Sequence, residues 1–138
     1  MITYIIFPVI KYTRGLEEEK LLREIIQVLG LEYINAERVR VVYSVNSRSR
    51  AIARIWSVPK VILTSFQLEP LYVIELITER YSRLSEEEKI KVLIHEILHI
   101  PKGFSGGLRA HGKHVNKREV EKLYREYYSK KKGNWKSR

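Results

Sequence analysis

The chain has 138 residues, 44% of them apolar and 30% charged, with no cysteine and a formal net charge of +10. This length suits one domain with a modest core, and the lack of cysteine excludes disulfides and thiolate metal sites. No stretch approaches the ~18 uninterrupted apolar residues of a spanning helix, so a soluble, cytoplasmic protein is expected, in which histidine and carboxylate hold any metal.

The opening MITYIIFPVIKY is apolar but short, carries Pro8, and has its basic residue after the apolar run. It reads as a strand or irregular leader rather than a signal peptide, with disorder confined to the chain ends. From Leu16 to Leu29, Leu21, Leu22, Ile25, Ile26 and Leu29 follow helical spacing, and Gly30 supplies a stop. RVRVVYSV then alternates, Val39, Val41, Tyr43 and Val45 on one face and Arg38, Arg40, Val42 and Ser44 on the other, and predicts a strand.

After the polar turn of residues 46–50, AIARIWSVPKVILT offers β-branched and aromatic residues around Pro59, which points to an edge strand or a bulge. Leu71, Ile74, Ile77 and Tyr81 predict a second helix ending near Arg83. A third helix is predicted from Ser85 to Ile100, where Ser85 and Glu88 form a capping box and Glu86 to Glu88 suit the positive end of the helix dipole. Ile90, Leu93, Ile94, Ile97 and Leu98 cover most of its circumference, the mark of a buried helix.

All four histidines fall between His95 and His114. His95 and His99 are four apart on the buried helix, so their rings lie on one face and can meet one ion. In an H-E-x-x-H site the carboxylate after the first histidine, here Glu96, acts as general base, while zinc lowers the pKa of a water. Two imidazoles merely satisfied within the core would each cost about 1–3 kcal/mol unless they found partners.

A catalytic zinc needs a third protein ligand and an open position. Pro101 ends the helix, and glycines at 103, 106 and 107 let the chain turn back. The metzincin spacing fails, because Lys102 and Ser105 stand where glycine and histidine are required. His111, His114 and Glu119 remain as candidates for the third ligand.

The final helix, VNKREVEKLYREYY, carries Val120, Leu123, Tyr124 and Tyr127 at core spacing. Residues 117–138 hold nine Lys or Arg against three Glu, which makes nucleic acid a candidate partner for this end of the chain.

The runs ARIWSVPKVIL, YVIELITERYSRLSEEEKIKVLIHEILHIPKGFSGGLRAHG and VNKREVEKLY resemble the metallopeptidases of archaea and phages, whose HE-x-x-H-x-P-x-x-FSG-x-L-x-x-HG signature is repeated almost in full. The likeness covers about Lys11 to Tyr128. That family is similar to SprT-like and minimal gluzincin-type proteases, which pair a compact sheet with an active-site helix. In SprT-like proteins the third ligand is a histidine followed by glycine, with an apolar residue four positions on. His111, Gly112 and Val115 match that order and His114 does not, so the resemblance implies His95, His99 and His111 as zinc ligands and Glu96 as catalytic base. SprT-like relatives act on proteins attached to DNA.

The expectation is an α+β, zincin-like single domain over residues 1–128, with a small sheet, a buried HExxH helix and a basic tail at 129–138. The function expected is zinc-dependent hydrolysis of peptide bonds in a peptide or protein substrate. Zincins commonly hold extended substrate against an edge strand beside the metal, which makes residues 51–55 a candidate for that role by strand addition; a core hairpin is the alternative. The rival function is a non-catalytic nucleic-acid- or protein-binding module whose structural zinc is closed by all four histidines. A hydrolase of a non-peptide bond is a further alternative.

Overall fold

In the computed structural model, which describes residues 8–136, four strands form one mixed sheet and five α-helices surround it. The strands are β1 (Lys11–Arg14), β2 (Val39–Val45), β3 (Ala53–Ser57) and β4 (Tyr72–Ile77), in the order β1-β2-β4-β3. Only the β2–β4 pair is parallel. The helices are α1 (Leu16–Val28), α2 (Lys60–Ser65), α3 (Thr78–Tyr81), α4 (Glu86–Leu98) and α5 (Lys117–Lys136). This is the expected α+β class. Most of the apolar leader lies outside the described residues, and no described helix is long and apolar enough to cross a membrane.

α1 and β2 follow their periodicities. Leu22, Ile25 and Ile26 bury the inner face of α1, and Gly30 leaves the helix at φ 64°. Gly15 joins β1 to α1 where a Cβ would stand 3.1 Å from Val41 Cγ1, so the close approach to β2 favours glycine. Paired residues share a sheet face: Val41, Ile74 and Ile55 form one inner row, and Val39, Tyr72 and Ser57 the next. α1, α4 and α5 bury this face through Ile25, Leu93, Ile94, Ile97 and Tyr127.

Two elements differ from the sequence expectation. The helix predicted from Leu71 to Tyr81 is strand β4 followed by the single turn α3. Being central, β4 is buried on both faces, so YVIELI is almost continuously apolar, and its apolar residues also satisfy helical spacing by coincidence. Its one charge, Glu75, is 1% exposed and accepts from Arg54 and Trp56 at 2.8 Å each. The strand expected to continue around Pro59 stops at Ser57. Pro59 instead precedes α2, where Leu63 is the buried side chain.

α4 starts as its sequence dictates. Ser85 Oγ accepts from Glu88 N–H at 3.2 Å while the Glu88 carboxylate accepts from Ser85 N–H, and three glutamates occupy the first turn. The helix descends beside β3, the last strand in the sheet order. Ile52 O accepts from Ile77 N–H and Leu71 O from Val58 N–H, so Ile52, Arg54, Trp56 and Val58 face β4 with their backbone groups. The backbone groups of Ala53, Ile55 and Ser57 therefore point to the open edge.

Candidate metal centre

His95 stands in the last turn of α4 and His99 is its C-cap, still in right-handed helical geometry (φ −70°, ψ −17°). One turn apart, their ring centroids lie 5.2 Å from each other. The chain then leaves at Pro101, reverses through Gly106 and Gly107 at φ 92° and 75°, and returns antiparallel to the helix end. This return carries the His111 ring centroid to 5.1 Å from His95 and 4.7 Å from His99.

Contacts of known partners fix that loop. Tyr72 O–H donates to Gly107 O at 3.1 Å, and Phe104 packs on the Tyr72 ring. Arg109 N–H donates to His99 O, and its guanidinium donates to Leu98 O through Nε at 3.2 Å and Nη2 at 2.9 Å. The guanidinium thus closes a carbonyl that the helix end leaves open. Past His111, Gly112 N–H donates to Val115 O, Val115 is buried, and Asn116 caps α5 by accepting from Glu119 N–H at 2.9 Å.

One ligand atom from each of His95, His99 and His111 can be chosen so that all lie within 4.8 Å of one another. One pair, His95 Nε2 and His111 Nε2, are 3.1 Å apart, near the ~3.3 Å that two tetrahedral zinc–nitrogen bonds impose. His99 Nδ1 lies 2.6 Å from Arg109 O; since the carbonyl can only accept, Nδ1 carries the hydrogen and Nε2 keeps its lone pair for an ion. Burial, then the neighbouring imidazoles, hold the His95 pKa below its usual value, which favours the neutral, ligating form. Three convergent imidazole nitrogens fit a borderline-soft divalent cation.

Glu96, between the two helix histidines, is 5% exposed, and burial pushes its carboxyl up to about 7. Its Oε2 has no hydrogen-bond partner among the described residues. Glu96 and His95 help to line a cleft of about 540 Å³ between the start of β3, α4 and α5. A buried carboxylate left unpaired beside three imidazoles is the type of orphan that a reacting molecule satisfies.

Of the three candidates for the third ligand, only His111 joins the cluster, while the exposed His114 and the half-buried Glu119 lie outside it among the described residues. Arg109 clamps the helix end and orients His99, a role that no local pattern announces. The cap at Asn116 was legible, three residues before Glu119. On α5, the exposed Arg118, Lys122, Arg125 and Lys132 recur along one face, and none has an ion-pair partner among the described residues. The Val120 and Tyr127 face is buried, as its spacing predicted.

The sequence profile of the family described as "Putative phage metallopeptidase" matches residues 10–133. No curated protein and no solved structure matches the chain.

Proposed function

The chain belongs to the family described as "Putative phage metallopeptidase", and from that premise we propose that it is a zinc-dependent, zincin-like peptidase with His95, His99 and His111 as ligands and Glu96 as general base. The observation that carries this reading is the convergence of three imidazoles beside a buried carboxylate that lacks a partner. When bound, zinc supplies Lewis acidity that polarises a carbonyl and lowers the pKa of water.

The chain's own groups do the rest. Glu96 accepts the proton of the attacking water and returns it to the departing amine; its apolar surroundings raise its proton affinity toward the working pH. Arg109, through its carbonyl, keeps the His99 ring in the ligating tautomer. Ala53, Ile55 and Ser57 offer their open backbone groups to an extended polypeptide, which adds to the sheet beside the centre. The basic stripe of α5 suits a polyanion such as nucleic acid.

The test is Glu96→Gln assayed on a panel of unfolded proteins, with and without DNA, and with zinc content measured alongside. Retained zinc with cleavage slowed about 10²–10⁴-fold supports the reading. Equal turnover removes Glu96 from the mechanism, and a spectroscopic count of four coordinated imidazoles replaces the enzyme by a structural site. Affinity of the metal-loaded protein for a DNA oligonucleotide should fall with rising salt; Arg118→Gln with Lys122→Gln should flatten that slope, and an unchanged slope would detach the stripe from DNA.

A further inference from the structure

The cleft beside Glu96 has a chemical character that the hydrolytic reading does not use. Its lining includes Ile52 and Ala53 at the start of β3, Val92 on α4 and Val120 on α5. At its rim, Lys91 Nζ lies 2.8 Å from Glu121 and 3.6 Å from Glu87, with the Tyr124 ring beneath it at 5.0 Å. Lys91 and Glu121 are therefore engaged with each other, an α4–α5 ion pair that ties two walls of the cleft together, and the exposed Lys117 at the start of α5 completes the lining.

We propose that this cleft is a specificity pocket for one apolar side chain, of leucine to phenylalanine size, on the polypeptide held along β3. The inference rests on the peptidase reading and extends it from reaction to substrate class. Position supports it: His95 and Glu96 form part of the lining, so whatever fills the cleft lies next to the bond that Glu96 serves. Ala53, whose backbone faces the open edge, also lines the cleft, so a strand paired there lies alongside the pocket.

The apolar lining decides the occupant. A charged side chain buried against Ile52, Ala53, Val92 and Val120 would lose its hydration there. An apolar side chain covers the valines and displaces water from around Glu96. Ala53 and Val92 set the depth, because each places a small side chain where a larger one would fill the space.

The experiment uses the zinc-loaded full chain and a quenched peptide series in which one position near the cleavage point is Gly, Ala, Leu, Phe, Glu or Lys. Leu and Phe are expected to exceed Ala and Gly in kcat/KM by about 10–100-fold, with Glu and Lys among the poorest. Ala53→Leu should lower the Leu-to-Ala ratio at least tenfold, and Val92→Ala, which opens the pocket instead of filling it, should raise the Phe-to-Leu ratio. A second readout needs no turnover: in Glu96→Gln protein, the Leu peptide should shift the NMR signals of Ala53, Val92 and Val120, and the Gly peptide should not. If these signals shift but no peptide is cut by the parent, the pocket stands and the hydrolytic reading fails. If peptides are cut without preference, or both variants keep the parent's ratios, hydrolysis stands and the pocket is overturned.

Discussion

Replacing Arg109 by methionine keeps the aliphatic stem and removes only the guanidinium. The backbone bonds of residue 109 to His99 survive, while the two donated bonds to Leu98 O, at 3.2 and 2.9 Å, are lost. A hydrogen bond from a charged donor contributes about 1.5–3 kcal/mol, a figure that already includes much of the attraction between a cation and the negative end of α4. With an unfolding entropy of roughly 2.1 cal/mol/K per residue, a chain of this length should lose about 5–10 °C of melting temperature. The loop that carries His111 would loosen, and the His99 ring would lose part of its restraint, so zinc affinity should fall about 10–100-fold. Thermal unfolding of the metal-free protein and zinc competition against a chromophoric chelator read the two effects separately. Arg109→Lys keeps the charge without the two-pronged contact and should recover only about 0.3–1 kcal/mol. Unchanged melting and unchanged zinc affinity in Arg109→Met would refute the role assigned to this side chain.

Ser85→Ala removes the capping oxygen of α4 and should cost about 1 kcal/mol by denaturant titration; no loss would mean that Glu86 to Glu88 suffice to start the helix. Glu75 is held below its usual pKa although burial, the largest single influence, raises it, because the hydrogen bonds from Arg54 and Trp56 and the Arg54 charge oppose that influence. The stability it contributes is therefore present above the unfolded carboxyl pKa of about 4.3 and is lost as pH falls through its depressed folded value. Arg54→Met should destabilise the protein by about 1–3 kcal/mol at pH 7, and its difference from the parent should shrink below about pH 4; a gap constant with pH would refute the pairing. Chelation should lower the melting temperature of the zinc-loaded parent and leave that of His111→Ala almost unchanged, since only a folded state with an intact site gains from binding. Equal shifts in both proteins would remove His111 from the ligand set.

Local pattern was legible wherever an element makes its contacts one face at a time. α1, β2 and α4 show it: each has one apolar period and nearby stop or cap signals, and Ser85 with Glu88 marks the start of α4 within a residue. β4 departs from its sequence expectation for the complementary reason. A strand buried on both faces loses the alternation that marks strands, and Leu71, Ile74 and Ile77 then satisfy helical spacing by accident. Pro59 points in the sequence to an edge strand or a bulge, and in the fold it introduces α2, a distinction that depends on the burial of Leu63.

The same division runs through the metal centre. Sequence alone determined that two imidazoles share one helix face with a carboxylate between them, because 3.6 residues per turn fixes that geometry before any tertiary contact forms. It determined as well that a metal site here must do without thiolates. Which residue completes the three-imidazole cluster was decided by the return of the 101–116 loop, and that path depends on Tyr72 from β4, on the carbonyl of Leu98 that α4 leaves open and on the burial of Val115. Those partners are separated in sequence by up to 43 positions, from Tyr72 to Val115, and no local period encodes them. The unpaired state of Glu96 and the apolar cleft beside it have the same origin: both arise where α4, α5 and β3 meet, and packing between distant segments sets which polar groups find partners.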